Sequence, residues 1–279
     1  MKINLGYQVY SAREEAEKDL LGVLRELADI GYDAVELAGT YGHSAAEICA
    51  MLRETGLRAV SAHVPFDAIV ADMPGTIEFY KSIGCQYIAV PYLDEQTRPG
   101  APGFAMAIRR IHEFGALCKA SGIPLLYHNH DFEFVSVSGQ YGLDFLYDAI
   151  PAELLATELD TCWVKVAGED PSDYIRKYAG RCPVVNLKDF VGGQAQGEAL
   201  YALINEDGSD DAPVEAGAEP AFELRPVGHG VQDIPSIIRA GLQSGTEWFV
   251  VEQDRSVGRT PLEAARMSAE AVRKIEKQR

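Results

Sequence analysis

One unit recurs along this chain: an amphipathic helical stretch, a glycine, then a short apolar run. Gly31 precedes Ala34-Val-Glu-Leu-Ala38, Gly56 precedes Ala59-Val-Ser-Ala-His63, and Gly84 precedes Tyr87-Ile-Ala-Val90. Gly122 precedes Leu125-Leu-Tyr127, Gly180 precedes Val184-Val-Asn-Leu187, and Gly245 precedes Trp248-Phe-Val-Val-Glu252. A glycine just past a helix accepts the left-handed conformation that ends it, so each marks a helix stop followed by a strand. With Ile3–Tyr10 at the start and Ala156–Val164 in the middle, the pattern predicts eight strands.

The intervening helices carry start signals. Ser11-Ala-Arg-Glu14 and Ser44-Ala-Ala-Glu47 have the capping-box pattern, and Asp170-Pro171 and Thr260-Pro261 put a capping side chain before a first-turn proline. The stretch Arg13–Ile30 sets Leu20, Leu21, Leu24, Leu27 and Ala28 on one face, the stripe of a helix packed on a sheet. Strands alternating with helices pair in parallel, and eight such units predict an α/β protein with a closed (β/α)₈ barrel, one domain over residues 1–279. The rhythm breaks once, at about 191–232, where a long acidic connection follows the seventh strand. A flap over the barrel mouth, an oligomer contact and a plain insertion all suit it.

In such barrels chemistry sits where strands end. Two-residue alternation points Glu36 inward from the second strand, Ser61 and His63 from the third, and Glu158 and Asp160 from the sixth. Asn186 and Lys188 follow from the seventh strand, Glu252 and Asp254 from the eighth. The fifth runs into Leu125-Leu-Tyr-His-Asn-His-Asp-Phe-Glu-Phe134, a polar cluster that a packed strand has no reason to carry. Carboxylates converging in one cavity repel each other unless protonated, paired with cations or bound to a metal. Lys188 alone cannot offset four or more acids. An oxygen-rich set with an amide favours a hard divalent ion such as manganese or magnesium.

Composition narrows the alternatives. A net charge of −17 argues against a nucleic-acid partner. The five cysteines are scattered and form no CxxC pair, so disulfides and a cysteine zinc site are not expected. No apolar run approaches the roughly 20 residues of a membrane helix, and the start reads as a first strand rather than a signal peptide. The expectation is a cytoplasmic protein with no membrane partner.

Five ordered motifs carry a resemblance. Tyr127-His-Asn-His-Asp-Phe-Glu-Phe134, Glu158-Leu-Asp-Thr-Cys-Trp163, Asn186-Leu-Lys-Asp189, Val227-Gly-His-Gly230 and Val251-Glu-Gln-Asp254 resemble the motif ladder of the sugar phosphate isomerase/epimerase family, whose fold is the xylose isomerase-like TIM barrel. The resemblance implies one divalent ion, manganese first, with magnesium or cobalt as alternatives. Carried over by motif, its ligands are Glu133, Asp160, Asn186 and Glu252, with His128 or His130 as rivals for the fifth-strand place. The family's usual motif at Asn186 is His-Leu-Lys-Asp; asparagine implies a looser site, a harder ion, a water in that position or a degenerate site.

The implied activity is isomerisation or epimerisation of a sugar or keto-sugar by proton transfer next to a carbonyl, with Glu133 and Glu252 as proton carriers. Relatives with a Tyr-His-Asn-His motif include inosose dehydratase-like proteins and C-glycoside deglycosidase subunits. For them His128 or His130 would serve an elimination, making this chain a lyase. His63, Glu36, Glu158, Lys188 and Trp163 are the expected substrate contacts. The partner implied is a small-molecule sugar, with a homo-oligomer or a small partner subunit left open. A non-catalytic sugar-binding or partner subunit is the third reading, with Asn186 as its support.

Overall fold

The computed structural model describes residues 2–192 and 222–278. Eight parallel strands close into a barrel: β1 (Leu5–Gln8), β2 (Ala34–Ala38), β3 (Arg58–His63), β4 (Ile88–Val90), β5 (Leu125–His128), β8 (Ala156–Asp160), β9 (Val184–Leu187) and β12 (Trp248–Val251). The order around the wall is β1-β12-β9-β8-β5-β4-β3-β2, with β2 returning to β1. Two small antiparallel pairs lie outside it: β6 (Ser136–Val137) with β7 (Gln140–Tyr141), and β10 (Asp189–Val191) with β11 (Glu223–Arg225). The helices are α1 (Arg13–Ile30), α2 (Ala45–Thr55), α3 (Phe66–Ala71), α4 (Met73–Ile83), α5 (Phe104–Ser121), α6 (Gly142–Ala149), α7 (Thr161–Val166), α8 (Pro171–Lys177), α9 (Ile234–Ser244) and α10 (Pro261–Lys277). None among the described residues is long and apolar enough to cross a membrane.

Local chemistry accounts for these boundaries. Gly31, Gly56, Gly84, Gly122 and Gly245 end α1, α2, α4, α5 and α9 in the left-handed conformation. Ser44 forms the capping box read from the sequence, Thr260 caps α10 ahead of Pro261 and forms a box with Glu263 as well, and Asp170 caps α8 through the amides of Ser172 and Asp173. Two expectations need correction. Ser11 caps nothing, because Val9–Ala12 forms a 3₁₀ turn, and the Ser11 hydroxyl accepts from the Gln253 amide. The sixth strand stops at Asp160 rather than running to Val164, because Asp160 caps α7.

The core is layered. Outward faces of the strands pack on the helices through residues such as Leu5, Tyr7, Val35, Leu37, Tyr127 and Leu159. Inside the barrel, Ala34, Val60, Tyr87, Ala89, Leu126, Val184, Trp248 and Val250 fill the lower half as an apolar plug. The next inward positions along the same strands are polar, so the plug becomes the floor of a charged cavity. A bulge opposite Val35 and Glu36 inserts one extra residue in β3, which brings Ser61 level with Glu36 and His63 level with Ala38.

The ends of the long connection are tied down. β10 pairs with β11, and the buried Asp189 carboxylate accepts from the amides of Phe190, Gly228, Gly230 and Gln232 at 2.9–3.0 Å. A Cβ on Gly230 would lie 2.2 Å from Asp189 Oδ1 and 2.3 Å from the Phe190 carbonyl, which is why that position needs glycine. Residues 193–221, where the acidic middle of the expected flap falls, lie outside the described residues.

Candidate functional site

Above the apolar floor, five carboxylates are buried: Glu36, Glu158, Asp160, Glu252 and Asp254. Each follows an inward apolar residue on its strand by two or four positions, so the alternation that builds the plug also delivers the acids. Two cations answer them. Lys188 Nζ lies 2.8 Å from Asp254 Oδ2 and 3.3 Å from both Asp160 Oδ2 and Glu252 Oε1. Burial disfavours its charge, but those three carboxylates outweigh burial and hold the ammonium well above its ordinary pKa. Lys188 is therefore a structural cation within the site.

His63 is the second. Its Nε2 sits 2.6 Å from Glu158 Oε1 and 3.3 Å from Glu36 Oε1. Burial lowers its pKa, yet Glu36 and Glu158 raise it further, to about 10. His128 differs. Its Nδ1 meets the same Glu158 oxygen at 2.9 Å, while burial and the positive charges of His63 and Lys188 press its pKa well below the ordinary value. One imidazole is thus charged and its neighbour neutral, with Glu158 between them. The two rings meet edge to face at 4.8 Å.

Three buried oxygens in this cavity have no hydrogen-bond partner among the described residues: Glu158 Oε2, Asp160 Oδ2 and Asn186 Oδ1. The orientation of Asp160 is set by its neighbours. Its Oδ1 accepts from the amides of Cys162 and Trp163, and its own amide donates to the Asn129 side chain. Oδ2 is left toward the cavity, 3.7 Å from His128 Nε2. His128, Asp160 and Glu252 bring one ligand atom each within 4.8 Å of one another, and His63, His128 and Glu158 form a second such group. Five carboxylates against two cations leave an excess of three negative charges if all are ionised. Burial and the neighbouring Glu252 and Asp254 charges push Asp160 up to about 7 despite Lys188. A divalent cation fits this donor set, and an imidazole with carboxylate and amide oxygens suits manganese, magnesium, cobalt or zinc.

Of the expected ligands, the structure brings together Asp160, Asn186 and Glu252, joined through Asn186 Nδ2 to Glu252 Oε2 at 2.7 Å. It does not bring Glu133 to them. The Glu133 carboxylate is fully buried, with Tyr127 donating to Oε1 at 2.6 Å and the His130 amide to Oε2 at 2.7 Å. Tyr127 belongs to the outer core, so Glu133 sits behind the barrel wall. Burial drives its carboxyl up to about 8 against the pull of those hydrogen bonds, which makes it a neutral acid at pH 7. The fifth strand meets the cluster through His128 instead.

Among the expected substrate contacts, Glu36 is occupied: Gln8 donates to it at 2.8 Å, Ser61 donates to its other oxygen, and Asn186 donates at 3.3 Å. Trp163 is buried in a column of near-parallel rings that runs Phe132, His130, Trp163, Phe222, Phe190, with centroids 5.1–6.3 Å apart. His130 is partly buried within that column, and burial holds its pKa well below the usual value. Tyr92, about half exposed, meets His130 edge to face.

Three contributors escaped the sequence reading. Gln8 lies at an inward position of β1, but a lone glutamine near the N-terminus carries no motif. Asn129 stitches β5 to β8 through both the amide and the carbonyl of Asp160, and Gln232 reaches the Thr161 and Lys188 carbonyls. Alternation had marked Asp254 as inward without giving it a role; it makes the shortest contact to Lys188.

Comparison with known proteins agrees with this architecture. The family profile described as xylose isomerase-like TIM barrel matches residues 24–275. The inosose dehydratase of Geobacillus kaustophilus (strain HTA426) is 23% identical over 189 residues, or 60% of this chain, which spans 61% of that protein's length. A sugar phosphate isomerase/epimerase from Parabacteroides distasonis ATCC 8503 superposes with a TM-score of 0.76 at 21% identity over 98% of both chains. The IolI protein, solved with a bound zinc atom, superposes at 0.68 and 15% identity over 99% of both chains. These structural likenesses establish a shared fold. With the profile spanning nearly the whole sequence, the chain belongs to the xylose isomerase-like TIM barrel family.

Proposed function

We propose that this chain is a metal-dependent enzyme that removes a proton next to the carbonyl of a keto-sugar or cyclic keto-polyol and expels the neighbouring oxygen substituent, a lyase reaction. The observation that carries the reading is the set of buried oxygens Glu158 Oε2, Asp160 Oδ2 and Asn186 Oδ1, none with a hydrogen-bond partner among the described residues, beside a neutral His128. A decayed binding protein has no reason to keep five buried carboxylates with only two cations, since each uncompensated charge is costly. His128, Asp160, Asn186 and Glu252 would hold the ion. When bound, a divalent ion supplies positive charge to the substrate oxygens beside the breaking C–H bond, which acidifies it.

The chain's own groups divide the proton work. His130 is held neutral and suits the base that takes the proton. His63 is held protonated by Glu36 and Glu158 and suits the acid that hands a proton to the departing oxygen. Glu158 keeps that imidazolium oriented at 2.6 Å. Lys188 pairs with Glu252 and Asp254 and offsets part of the negative charge in the wall. The aromatic column excludes water from one side of the site.

Epimerisation, the first expectation from the sequence, needs proton carriers on both faces of the substrate. Glu133 was to be the second, and its engagement with Tyr127 and His130 weighs against that route. The inosose dehydratase relative supports elimination.

Metal content of the purified protein tests the reading, with Asp160→Asn and Glu252→Gln alongside. The expectation is about one divalent ion per wild-type chain, lost in both variants, and a higher melting temperature on adding Mn²⁺. A wild type that holds no ion and gains neither stability nor turnover from Mn²⁺ would sink it.

A further inference from the structure

Asn186, one of the proposed donors, is fully buried near the end of β9. Its amide nitrogen donates to two carboxylates, Glu252 Oε2 at 2.7 Å and Glu36 Oε1 at 3.3 Å. Its carbonyl oxygen has no hydrogen-bond partner among the described residues. Turning the amide over would lose both hydrogen bonds and set that oxygen against two carboxylates, so the chemistry allows one orientation. Glu252 belongs to the proposed ligand set, whereas Glu36 does not. Glu36 is instead fastened from the far side: Gln8 donates to Oε1, Ser61 donates to Oε2, and the Tyr10 amide fixes Gln8 by donating to its side-chain oxygen at 3.0 Å.

We infer that Glu36 is a positioning residue that turns the Asn186 carbonyl toward the cation, and that the resulting set of one nitrogen and three oxygens shifts the site toward harder ions. This deepens the metal-dependent reading and rests on it. Glu36, expected to meet substrate, then acts together with Gln8 and Ser61 one layer behind the ligands. Carbonyl and carboxylate oxygens suit Mn²⁺ and Mg²⁺, while imidazole gains more with Zn²⁺. The Zn²⁺-to-Mn²⁺ affinity ratio is therefore set by the identity and orientation of residue 186.

Calorimetric titration of the metal-free chain with MnCl₂ and, separately, ZnCl₂ tests this on the wild type, Glu36→Gln, Asn186→Ala, the double variant and Asn186→His. Glu36→Gln is expected to weaken Mn²⁺ binding by about 10–100-fold, the usual loss on removing a supporting group behind a ligand. In the Asn186→Ala background the same change should cost less than about 3-fold, a coupling that a general electrostatic role would not show. Asn186→His should raise the Zn²⁺-to-Mn²⁺ ratio by at least about tenfold. If Glu36→Gln does not fold, Ser61→Ala removes one fastening of Glu36 and should give the same coupling at smaller amplitude. Equal losses from Glu36→Gln with and without Asn186, or an unchanged ratio in Asn186→His, would overturn the inference while leaving the metal reading intact. A wild type that binds neither ion overturns both.

Discussion

Glu133→Gln separates a structural acid from a metal ligand. The Glu133 carboxyl is fully buried behind the wall and pushed from its ordinary 4.5 up to about 8 by burial. The folded state therefore holds its proton more tightly than the unfolded chain. The associated stability is fully present below about pH 4.5 and is lost as the pH rises through 8. The whole shift, 8 − 4.5, corresponds to about 5 kcal/mol at about 1.4 kcal/mol per unit, and the span from pH 5 to 8 to about 4 kcal/mol. Glutamine keeps the neutral form at every pH, and its amide can still serve Tyr127 and the His130 amide. Urea unfolding of both proteins at pH 5 and pH 9 checks this. The variant is expected within about 1–2 kcal/mol of the wild type at pH 5 and more stable than it at pH 9. Other buried carboxylates titrate alike in both proteins, so the difference isolates Glu133. Mn²⁺ affinity should stay within about 3-fold, whereas Glu252→Gln should lose about 100-fold or more. Parallel stability loss in the two proteins, or a metal defect equal to that of Glu252→Gln, would refute the placement.

Lys188→Met should destabilise the metal-free chain by about 3–5 kcal/mol, since it strands Asp160, Glu252 and Asp254 in a dry interior. Saturating Mn²⁺ should return part of that loss in a urea titration. Gly230→Ala should cost about 1–3 kcal/mol, because its Cβ meets the Asp189 carboxylate and the Phe190 carbonyl. Limited proteolysis should then cut more readily in the segment 223–232. His63→Gln keeps a hydrogen bond to Glu158 but cannot carry a proton. Turnover should fall by about 10²–10⁴-fold while Mn²⁺ affinity changes little, measured by kinetics and titration on the same preparation.

The fold was legible because each unit repeats the same physics: a capped amphipathic helix, a left-handed glycine, a strand with inward alternation. That alternation also reached Glu36, His63, Glu158, Asp160, Asn186, Lys188, Glu252 and Asp254, all of which the structure sets around the cavity. It says nothing where the chain leaves the strand, and Glu133 is carried over by motif alone. Past His128 the backbone enters a 3₁₀ turn at Phe132–Phe134, period two no longer applies, and Glu133 turns outward to Tyr127. The bulge in β3 was equally silent, since Val60 and Ser61 look like ordinary strand neighbours. Gln8 and Asn129 act through hydrogen bonds to distant residues, and those are visible only once the barrel has closed.

The central claim is metal-assisted removal of a proton next to a carbonyl followed by loss of the neighbouring substituent. It is tested most directly by proton NMR of metal-loaded protein with a panel of keto-sugars and keto-cyclitols in D₂O. At least one substrate should lose its α-proton signal and yield an unsaturated ketone together with the released water or alcohol, and chelation should stop both. Deuterium exchange that returns an intact isomer would move the activity to isomerisation. Metal-loaded protein that exchanges no α-proton in any member of the panel would contradict the account.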